Sequence, residues 1–452
     1  AVLPDLDLAF VRRQLYSHSK FRYITRRLTP EQVSRINAIG EPGLEFEDEA
    51  ERVYPNGELA AHVLGYTNID GKGMAGIERA FNDRLSAEDQ LSKPLQLSID
   101  VRVQHALEYE LNAAMEKFSA IGAAGIILDV HTGELLAMAS LPAFDPNAVS
   151  RSPSETWFNR ATQGIYELGS TFKAFTTAMA LEEGIVTLGK KYDVSAPLAI
   201  GRFRIRDTHP ENRSMTVPEI FMHSSNIGTA QIALDVGPET QQAYMRRLGF
   251  LEPVHIELKE SAQPMYPNPW GKASTMTISY GHGIAVTSLH LATGYATLVN
   301  GGVWRPATLM KIAPGTERST GERIFSEETS KIMRQLMRLV VVQGTGKQAN
   351  APGYRIGGKT GTAEKPGVGG YQRKALITTF AGAFPMDDPR YVVIATLDEP
   401  KGIKETYGFA TAGWNAAPAM KAIVQRVGPI LGVEPNVNKD VDLSPLQRYI
   451  AG

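Results

Sequence analysis

The stretch that most constrains this chain lies at residues 164–182, where a glycine break at Gly169 leads directly into an apolar segment of helical composition. The pattern predicts a helix that begins near Gly169, with Ser170 in its first turn. Ser170 and Lys173 stand three residues apart, so their side chains fall on one face of this helix. A lysine with a lowered pKa can take the proton of a serine hydroxyl, and a helix N-terminus offers free N–H groups to an oxyanion. The alternative interpretation is a capping serine followed by a solvated lysine.

The length of the chain, 452 residues, is too great for one ordinary core and predicts about two or three domains. A net charge of -1 gives no electrostatic case for binding nucleic acid or an anionic membrane surface. The sequence has no cysteine, which excludes disulfides, thiolate catalysis and cysteine metal sites. It also has no His-Glu-x-x-His pattern and no apolar run that approaches a membrane span.

The first part of the chain is charged and irregular. It predicts helices at residues 8–15 and 30–39, a strand at 61–66 and a helix at 77–85. Residues 71–76 match Gly-x-Gly-x-x-Gly, but no second buried parallel strand follows, so we interpret them as a glycine loop between small elements rather than a dinucleotide site. Lys93-Pro94 then marks a boundary.

After this boundary the pattern becomes regular. The predicted elements are a strand at 95–99, a helix at 101–118, strand pairs at 124–130 with 134–139 and at 375–384 with 391–397, and a closing helix at 414–427. Together they predict an α+β fold, an antiparallel sheet assembled from both ends of this region with helices between. The predicted domains are therefore residues 1–94 and 95–452.

A second polar stretch, with Ser224 and Asn226, lies at a break between two helical segments. Side chains at such a break can point into a cleft. A hydroxyl there could pass a proton between an amine and a leaving group, and an amide could hold a peptide group by donating and accepting at once. Helix capping by Ser224-Ser225-Asn226 is the alternative.

The third polar stretch is Lys359-Thr360-Gly361-Thr362, which is predicted to be a strand. Alternation places Thr360 and Thr362 on one face, where two hydroxyls could hold a carboxylate. Gly361 lets a substrate backbone come close to the strand. The same alternation points Lys359 away, so only strand twist or the length of its side chain would return it to the site. A glycine-weakened edge strand with a solvated lysine is the alternative.

The three stretches form the ordered set Ser-x-x-Lys, Ser-x-Asn and Lys-Thr-Gly, the signature of penicillin-binding proteins and class A β-lactamases. Further segments carry the same likeness, namely residues 52–55, 60–65, 76–78, 144–147, 397–401 and 412–414. The chain resembles the class B penicillin-binding proteins, most closely the division-specific peptidoglycan D,D-transpeptidases of the FtsI type, over about residues 20–425. One departure is Leu168, where many relatives have proline.

The resemblance implies a fold of the penicillin-binding-protein and serine β-lactamase type for residues 95–452, with an extended tail after about residue 433. Residues 1–94 would form an elongated, non-catalytic pedestal. In the implied reaction, Ser170 attacks the carbonyl of the penultimate D-alanine of a stem peptide, and Lys173 is the base. The last D-alanine leaves, and an acyl-enzyme remains until the amine of a second stem peptide takes the acyl group.

The remaining site residues take their roles from the same resemblance. Ser224, with Lys359 nearby, would relay the proton to the departing amine, and Asn226 would hold the donor peptide. Thr360 and Thr362, on either side of Gly361, would bind the terminal carboxylate. Backbone N–H groups of Ser170 and Thr362 would form the oxyanion hole.

The family also implies partners and a location. The substrates would be peptidoglycan stem peptides ending in D-Ala-D-Ala, and β-lactam antibiotics would be trapped covalently because they imitate this dipeptide. No metal or organic cofactor is implied, and no nucleic acid. The protein would work in septal wall synthesis beside a membrane-embedded glycan polymerase and other division proteins. An N-terminal helix that this sequence lacks would anchor it in the bacterial inner membrane, with the catalytic domain in the periplasm.

Other functions share the three motifs. A D,D-carboxypeptidase uses water as the acceptor, and a serine β-lactamase must activate water to release the acyl group. The class A enzymes do this with Glu-x-x-x-Asn, yet no asparagine between the second and third motifs has a glutamate four residues before it. Length and the N-terminal region argue against the other serine β-lactamases. A non-catalytic β-lactam sensor or division scaffold is disfavoured because every reacting residue is retained.

Overall fold

The computed structural model describes residues 3–4, 6–49, 51–87, 93–201, 203–313, 315, 321–367 and 370–451. The chain divides into two compact units, Ala1–Arg52 and Val53–Gly452. Residues 53–94 thus belong to the second compact unit, and the domain boundary expected after residue 94 stays a prediction. Within the described ranges, no helix is both long enough and apolar enough to cross a membrane.

The secondary structure combines many short helices with one main sheet. The α-helices are α1 Leu8–Leu15, α2 Pro30–Asn37, α3 Ala61–Leu64, α4 Gly76–Ala80, α5 Asn82–Ser86, α6 Val101–Phe118, α7 Lys173–Glu182, α8 Val217–His223, α9 Asn226–Val236, α10 Pro238–Arg247, α11 Lys272–Ile278, α12 Ser288–Val299, α13 Glu327–Val342, α14 Ala416–Ile430 and α15 Ser444–Gln447. The strands are β1 Gly122–Asp129, β2 Leu135–Leu141, β3 Lys191–Asp193, β4 Leu198–Ile200, β5 Phe203–Ile205, β6 Ser214–Thr216, β7 Val303–Trp304, β8 Glu322–Arg323, β9 Gly357–Gly367, β10 Gly370–Phe384 and β11 Tyr391–Asp398.

The first unit contains the two helices that the sequence predicts there. Asp7 caps α1 by accepting from the backbone of Ala9. Thr29 and Gln32 form a reciprocal capping box at the start of α2, where proline occupies the first turn. None of the residues of α1 or α2 is buried. Capping therefore defines these helices more than core packing does.

Three of the predicted elements before α6 are corrected by the structure. The strand predicted at 61–66 is wrong: α3 forms there, because Ala60 and Gly65 adopt positive φ angles of 56° and 75° and close a single helical turn. Close packing requires glycine at 65, since a Cβ there would lie 1.8 Å from the Ala75 carbonyl oxygen. The helix predicted at 77–85 is divided into α4 and α5. The strand predicted at 95–99 is reduced to one bridge, from Leu97 to Met310.

The main sheet has five antiparallel strands in the order β2-β1-β11-β10-β9. Both predicted strand pairs and the α+β class are thus confirmed, and β1 meets β11 from the other end of the domain. Helices cover both faces, so the central strands are buried throughout. The sheet separates two apolar cores: a larger one that includes α7 and α12, and a second one that includes α6 and α14. Val392 and Ile394 of β11 face the larger core, whereas Val393 and Ala395 face the second.

Helix α7 lies inside the larger core. An aromatic cluster surrounds its first turns, with the Phe175 ring edge-on to Phe172, Phe250 and Tyr295 at centroid distances of 4.9 to 5.6 Å. The buried Tyr295 hydroxyl donates to the carbonyl of Thr171 at 2.9 Å. This packing fixes the turn immediately before α7, which carries Ser170.

The chain after residue 433 contains the short helix α15 and packs against α8. Leu446 is fully buried, and the Thr216 hydroxyl donates to the carbonyl of Tyr449 at 2.6 Å. The backbone N–H of Ala451 donates to Glu219, in the first turn of α8. The extended tail predicted here therefore includes one helical turn and packs against α8.

Candidate active site

The nucleophile candidate lies on a 3₁₀ turn, Gly169–Phe172, that runs into α7. Gly169 has a φ of 56°, and a Cβ at this position would lie 2.7 Å from the carbonyl oxygen of Thr362. Across the contact, a Cβ at Gly361 would lie 2.3 Å from the carbonyl oxygen of Leu168. Two glycines thus let the turn pack backbone to backbone on β9, as only residues without a side chain allow.

The Ser170 side chain is partly exposed, and its hydroxyl makes no hydrogen bond within the described part of the chain. Lys173 is fully buried. Its amine donates to both the carbonyl oxygen and the hydroxyl of Ser224, the latter at 3.1 Å. The sequence predicts that Lys173 shares a face with Ser170, but here the amine is bonded to the second motif. For Lys173 to accept a proton from Ser170, its amine would have to move from Ser224 toward Ser170; catalytic hydrogen bonds are often looser in free enzymes.

Ser224 joins the second motif to both lysines. It is the C-cap of α8 and has a φ of 62°, a left-handed conformation that turns the chain between α8 and α9. The Lys359 amine donates to the Ser224 hydroxyl at 2.8 Å and to the carbonyl of Thr360 at 3.4 Å. The length of its side chain therefore returns Lys359 to the site, which strand alternation left open.

The buried lysines have shifted proton affinities. Burial lowers the pKa of Lys173 well below its ordinary value, and the neighbouring positive charge of Lys359 lowers it further, while Asp207 raises it. Burial also lowers the pKa of Lys359 to about 7. Two ammonium groups that both contact the Ser224 hydroxyl would repel each other, so the lysine pair favours a state in which one of the two amines is neutral. This leaves an amine that can accept a proton.

Asn226 begins α9, and its side-chain amide donates to the carbonyl of Arg206 at 3.0 Å. Ser225 is buried and caps the helix by accepting from the backbone of Gly228 at 3.0 Å. The capping interpretation thus applies to Ser225, the middle residue of the motif. Ser224 and Asn226 flank it, one facing the lysines and the other the segment that holds Asp207.

Strand β9 is an edge strand, so alternate backbone N–H and C=O groups point away from β10. The Thr360 hydroxyl lies 2.9 Å from that of Thr345, and the Thr362 hydroxyl accepts from the backbone of Ala412 at 3.0 Å. Gly361 stands between these threonines and contacts the turn at Gly169–Phe172 that carries Ser170, called the nucleophile turn below. An extended peptide could add to this edge beside Ser170.

Sequence reasoning missed the role of Glu167, three residues before Ser170. Its carboxylate accepts from the backbone of Gly283 at 2.8 Å and from the Tyr371 hydroxyl at 2.9 Å, and it lies 3.0 Å from the His282 ring. Burial would raise the pKa of Glu167, but these hydrogen bonds hold it below its ordinary value. The carboxylate thereby links the nucleophile turn to two other segments. An acidic residue three positions before the first motif was the available signal.

We expect Gly281→Ala to destabilise the protein more than the same substitution at Gly184 does. Gly281 has a φ of 81°, and a Cβ there would lie 2.1 Å from the carbonyl oxygen of Gly169. Gly184 has a φ of 65° but no atom within 4 Å, so Gly184→Ala isolates the backbone strain. Thermal unfolding should show that Gly281→Ala lowers the free energy of unfolding by about 1–3 kcal/mol more than Gly184→Ala does. Equal losses would contradict the packing described here.

Comparison with known proteins shows which family this chain matches. The profile described as Penicillin binding protein transpeptidase domain matches residues 123–425, and the one described as Penicillin-binding Protein dimerisation domain matches residues 8–94. The Caulobacter vibrioides protein named "Probable peptidoglycan D,D-transpeptidase FtsI" is 43% identical over 422 residues, covering 91% of this chain and 72% of that protein. The Escherichia coli "Peptidoglycan D,D-transpeptidase FtsI" is 31% identical over 456 residues, covering 95% and 76%.

The solved structures with a similar fold include penicillin-binding proteins as well. Penicillin binding protein 3 from Mycobacterium tuberculosis, complexed with aztreonam, superposes with a TM-score of 0.76 at 28% identity, covering 85% of this chain and 91% of that one. The apo TP domain of penicillin-binding protein 3 from Burkholderia pseudomallei gives a TM-score of 0.67 at 32% identity, covering 76% and 98%.

Proposed function

The chain belongs to the penicillin-binding protein transpeptidase family, and from that premise we propose that it is a peptidoglycan D,D-transpeptidase that crosslinks stem peptides during septal wall synthesis. The observation that carries this proposal is the position of two fully buried lysines from different motifs on the hydroxyl of Ser224. They lie next to a turn that presents a partly exposed serine. Such a group of side chains is suited to moving protons to and from an acyl centre.

Acylation begins when the Ser170 hydroxyl attacks the carbonyl of the penultimate D-alanine. Its proton passes to the neutral amine of Lys173 as the Oγ–C bond forms. Ser224, held by Lys359, then delivers its proton to the amide nitrogen as the C–N bond breaks, and the protonated Lys173 amine replaces that proton on the Ser224 oxygen. The last D-alanine leaves as an amine, and Lys173 is neutral again. The products of this step are free D-alanine and an ester on Ser170.

The tetrahedral intermediate needs donors for its oxyanion. The backbone N–H groups of Ser170 and Thr362 would supply them, and the glycine-mediated packing of β9 on the nucleophile turn brings the two residues together. In the substrate complex, the Thr360 and Thr362 hydroxyls would exchange partners to bind the terminal carboxylate. Asn226 would hold the donor peptide, which Gly361 lets approach the strand.

Deacylation completes the crosslink. The amine of a second stem peptide attacks the ester and loses its proton to the same buried amines, and Ser170 regains its hydroxyl. A β-lactam would acylate Ser170 by ring opening, with no departing amine to make way for the acceptor. Covalent inhibition by these drugs follows.

The cellular setting is proposed from the family. Residues 1–94 would be the pedestal, and residues 95–452 the transpeptidase domain. The protein would be held in the bacterial inner membrane by an N-terminal helix, would face the periplasm, and would work beside a membrane-embedded glycan polymerase and other division proteins. The FtsI names of the relatives support this setting, and the chain spans 72% and 76% of the two relatives described above.

Intact-protein mass after incubation with a penicillin tests the function. We expect an adduct of one drug mass that persists for hours, because the sequence between the second and third motifs has no water-activating Glu-x-x-x-Asn element. Rapid loss of the adduct with drug turnover would make the protein a β-lactamase. No adduct would leave the non-catalytic scaffold function. Supplying a stem peptide with an amine acceptor distinguishes crosslinking from D,D-carboxypeptidase activity, which releases D-alanine without a crosslinked product.

A further inference from the structure

We propose that Asp207 is a positioning residue for this reaction: it fixes the turn between α8 and α9 against the buried lysine pair. The inference rests on the proposed function, because the reaction defines what the turn must hold in place. Asp207 follows the short strand β5 and stands outside all three motifs.

The Asp207 carboxylate satisfies the start of α9 with both of its oxygens. Oδ1 accepts from the backbone N–H groups of Asn226 at 2.5 Å and Ile227 at 3.0 Å. Oδ2 accepts from the hydroxyl of Ser225 at 2.6 Å. The first N–H groups of a helix lack intrahelical partners, and a carboxylate there is stabilised by the helix dipole. An external side chain therefore replaces the usual local cap for these N–H groups.

The residues that Asp207 holds are adjacent in sequence to Ser224, which contacts both buried lysines. Ser225 and Asn226 follow Ser224 directly, and the Ser224 carbonyl accepts from the Lys173 amine. The neighbouring carbonyl of Arg206 also holds the side-chain amide of Asn226. Releasing Asp207 would free the backbone on one side of Ser224, and with it the acceptor that orients Lys173. Displacements of about 1 Å in such a site can cost about 10²-fold in rate.

The charge of Asp207 also acts on the base. Two charged groups influence Lys173: Lys359 on β9, which lowers its pKa, and Asp207 on the segment after β5, which raises it. Removing the negative charge should therefore lower the Lys173 pKa further. Acylation needs the neutral amine, so its rate rises with pH through this pKa. The acid limb of the rate profile should then move to lower pH.

The test is the second-order rate of acylation by a fluorescent penicillin, measured across pH for Asp207→Asn and for Asp235→Asn. Asp235 lies at the other end of α9, where it accepts from the Tyr192 hydroxyl at 2.6 Å and from Lys190 at 2.8 Å. We expect Asp207→Asn to lower the plateau rate by about 10-fold or more and to move the acid limb to lower pH. Asp235→Asn should keep the wild-type profile.

An unchanged acid limb for Asp207→Asn overturns the proposal, because a merely structural residue would lower the rate without moving the limb. Asp207→Glu keeps the charge and displaces the carboxylate, so it should retain the wild-type limb with a lower plateau. This second variant preserves the test if Asp207→Asn does not fold; a wild-type plateau for Asp207→Glu would then overturn the positioning role. If the wild-type protein is not acylated at all, the proposed function fails instead, which is a separate result.

Discussion

Ser170→Ala should gain no drug mass after incubation with a penicillin, under conditions in which the wild-type protein is fully acylated. The substitution removes the one oxygen that the nucleophile turn presents, while the turn keeps its packing through Gly169 and the Tyr295 hydrogen bond to Thr171. Within the described residues, Ser224 supplies the hydroxyl that contacts the buried lysines, and it accepts from both amines. Intact mass spectrometry measures the result directly.

The control for this experiment is Ser154→Ala, which alters an exposed serine in a separate 3₁₀ turn. It should be acylated like the wild type. The two variants should also melt close to the wild-type temperature, since neither change creates a cavity in the core. An adduct on Ser170→Ala would show that another residue is the nucleophile and would remove the basis of the proposed mechanism.

Lys173→Met should lower the acylation rate by about 10²–10⁴-fold, the contribution typical of a positioned general base. Methionine fills a similar volume without an amine, so the change tests proton transfer rather than packing. It also leaves the Ser224 carbonyl without the donor that it has in this structure. Stopped-flow measurements with a fluorescent penicillin provide the rate.

Lys190→Met is a suitable comparison, because Lys190 is partly exposed and pairs with Asp235 away from the three motifs. Its acylation rate should stay near that of the wild type. A rate for Lys173→Met within a few-fold of the wild type would instead favour Lys359 as the base. Lys359→Met should then show the larger loss.

Much of the catalytic region could be predicted from the sequence, because its signals are local. The helix predicted at 101–118 is α6 to the residue. The helix predicted to begin near Gly169 begins there as a 3₁₀ turn, and α7 follows from Lys173. Four strands of the sheet follow from the two predicted strand pairs, and the fifth, β9, contains the strand predicted at Lys359-Thr360-Gly361-Thr362. Short apolar runs carry a weaker signal for secondary structure. Residues 61–66 predict a strand, but the positive φ angle of Ala60 closes a helical turn there instead.

Some contacts of the site are not encoded by sequence spacing. The family resemblance places Lys359 near Ser224, whereas strand alternation alone points it away. Lys359 leaves the strand on one face and reaches Ser224 through the length of its side chain. Asp207 stands in an irregular segment, and its partners at Asn226 and Ile227 become neighbours only through tertiary packing. A single aspartate in such a segment gives no periodic or motif signal.

The pairing of β1 with β11 has a consequence for synthesis of the chain. Ser170 is translated long before Lys359 and the strand that carries it; at about 5–20 residues per second, the interval is roughly ten to forty seconds. During this time the nascent chain holds the nucleophile helix without β9, β10 or β11, and its lysine is not yet buried beside a second one. If the proposed function holds, β-lactams should therefore acylate the protein only in the last stage of folding, and prematurely terminated chains should escape the drug.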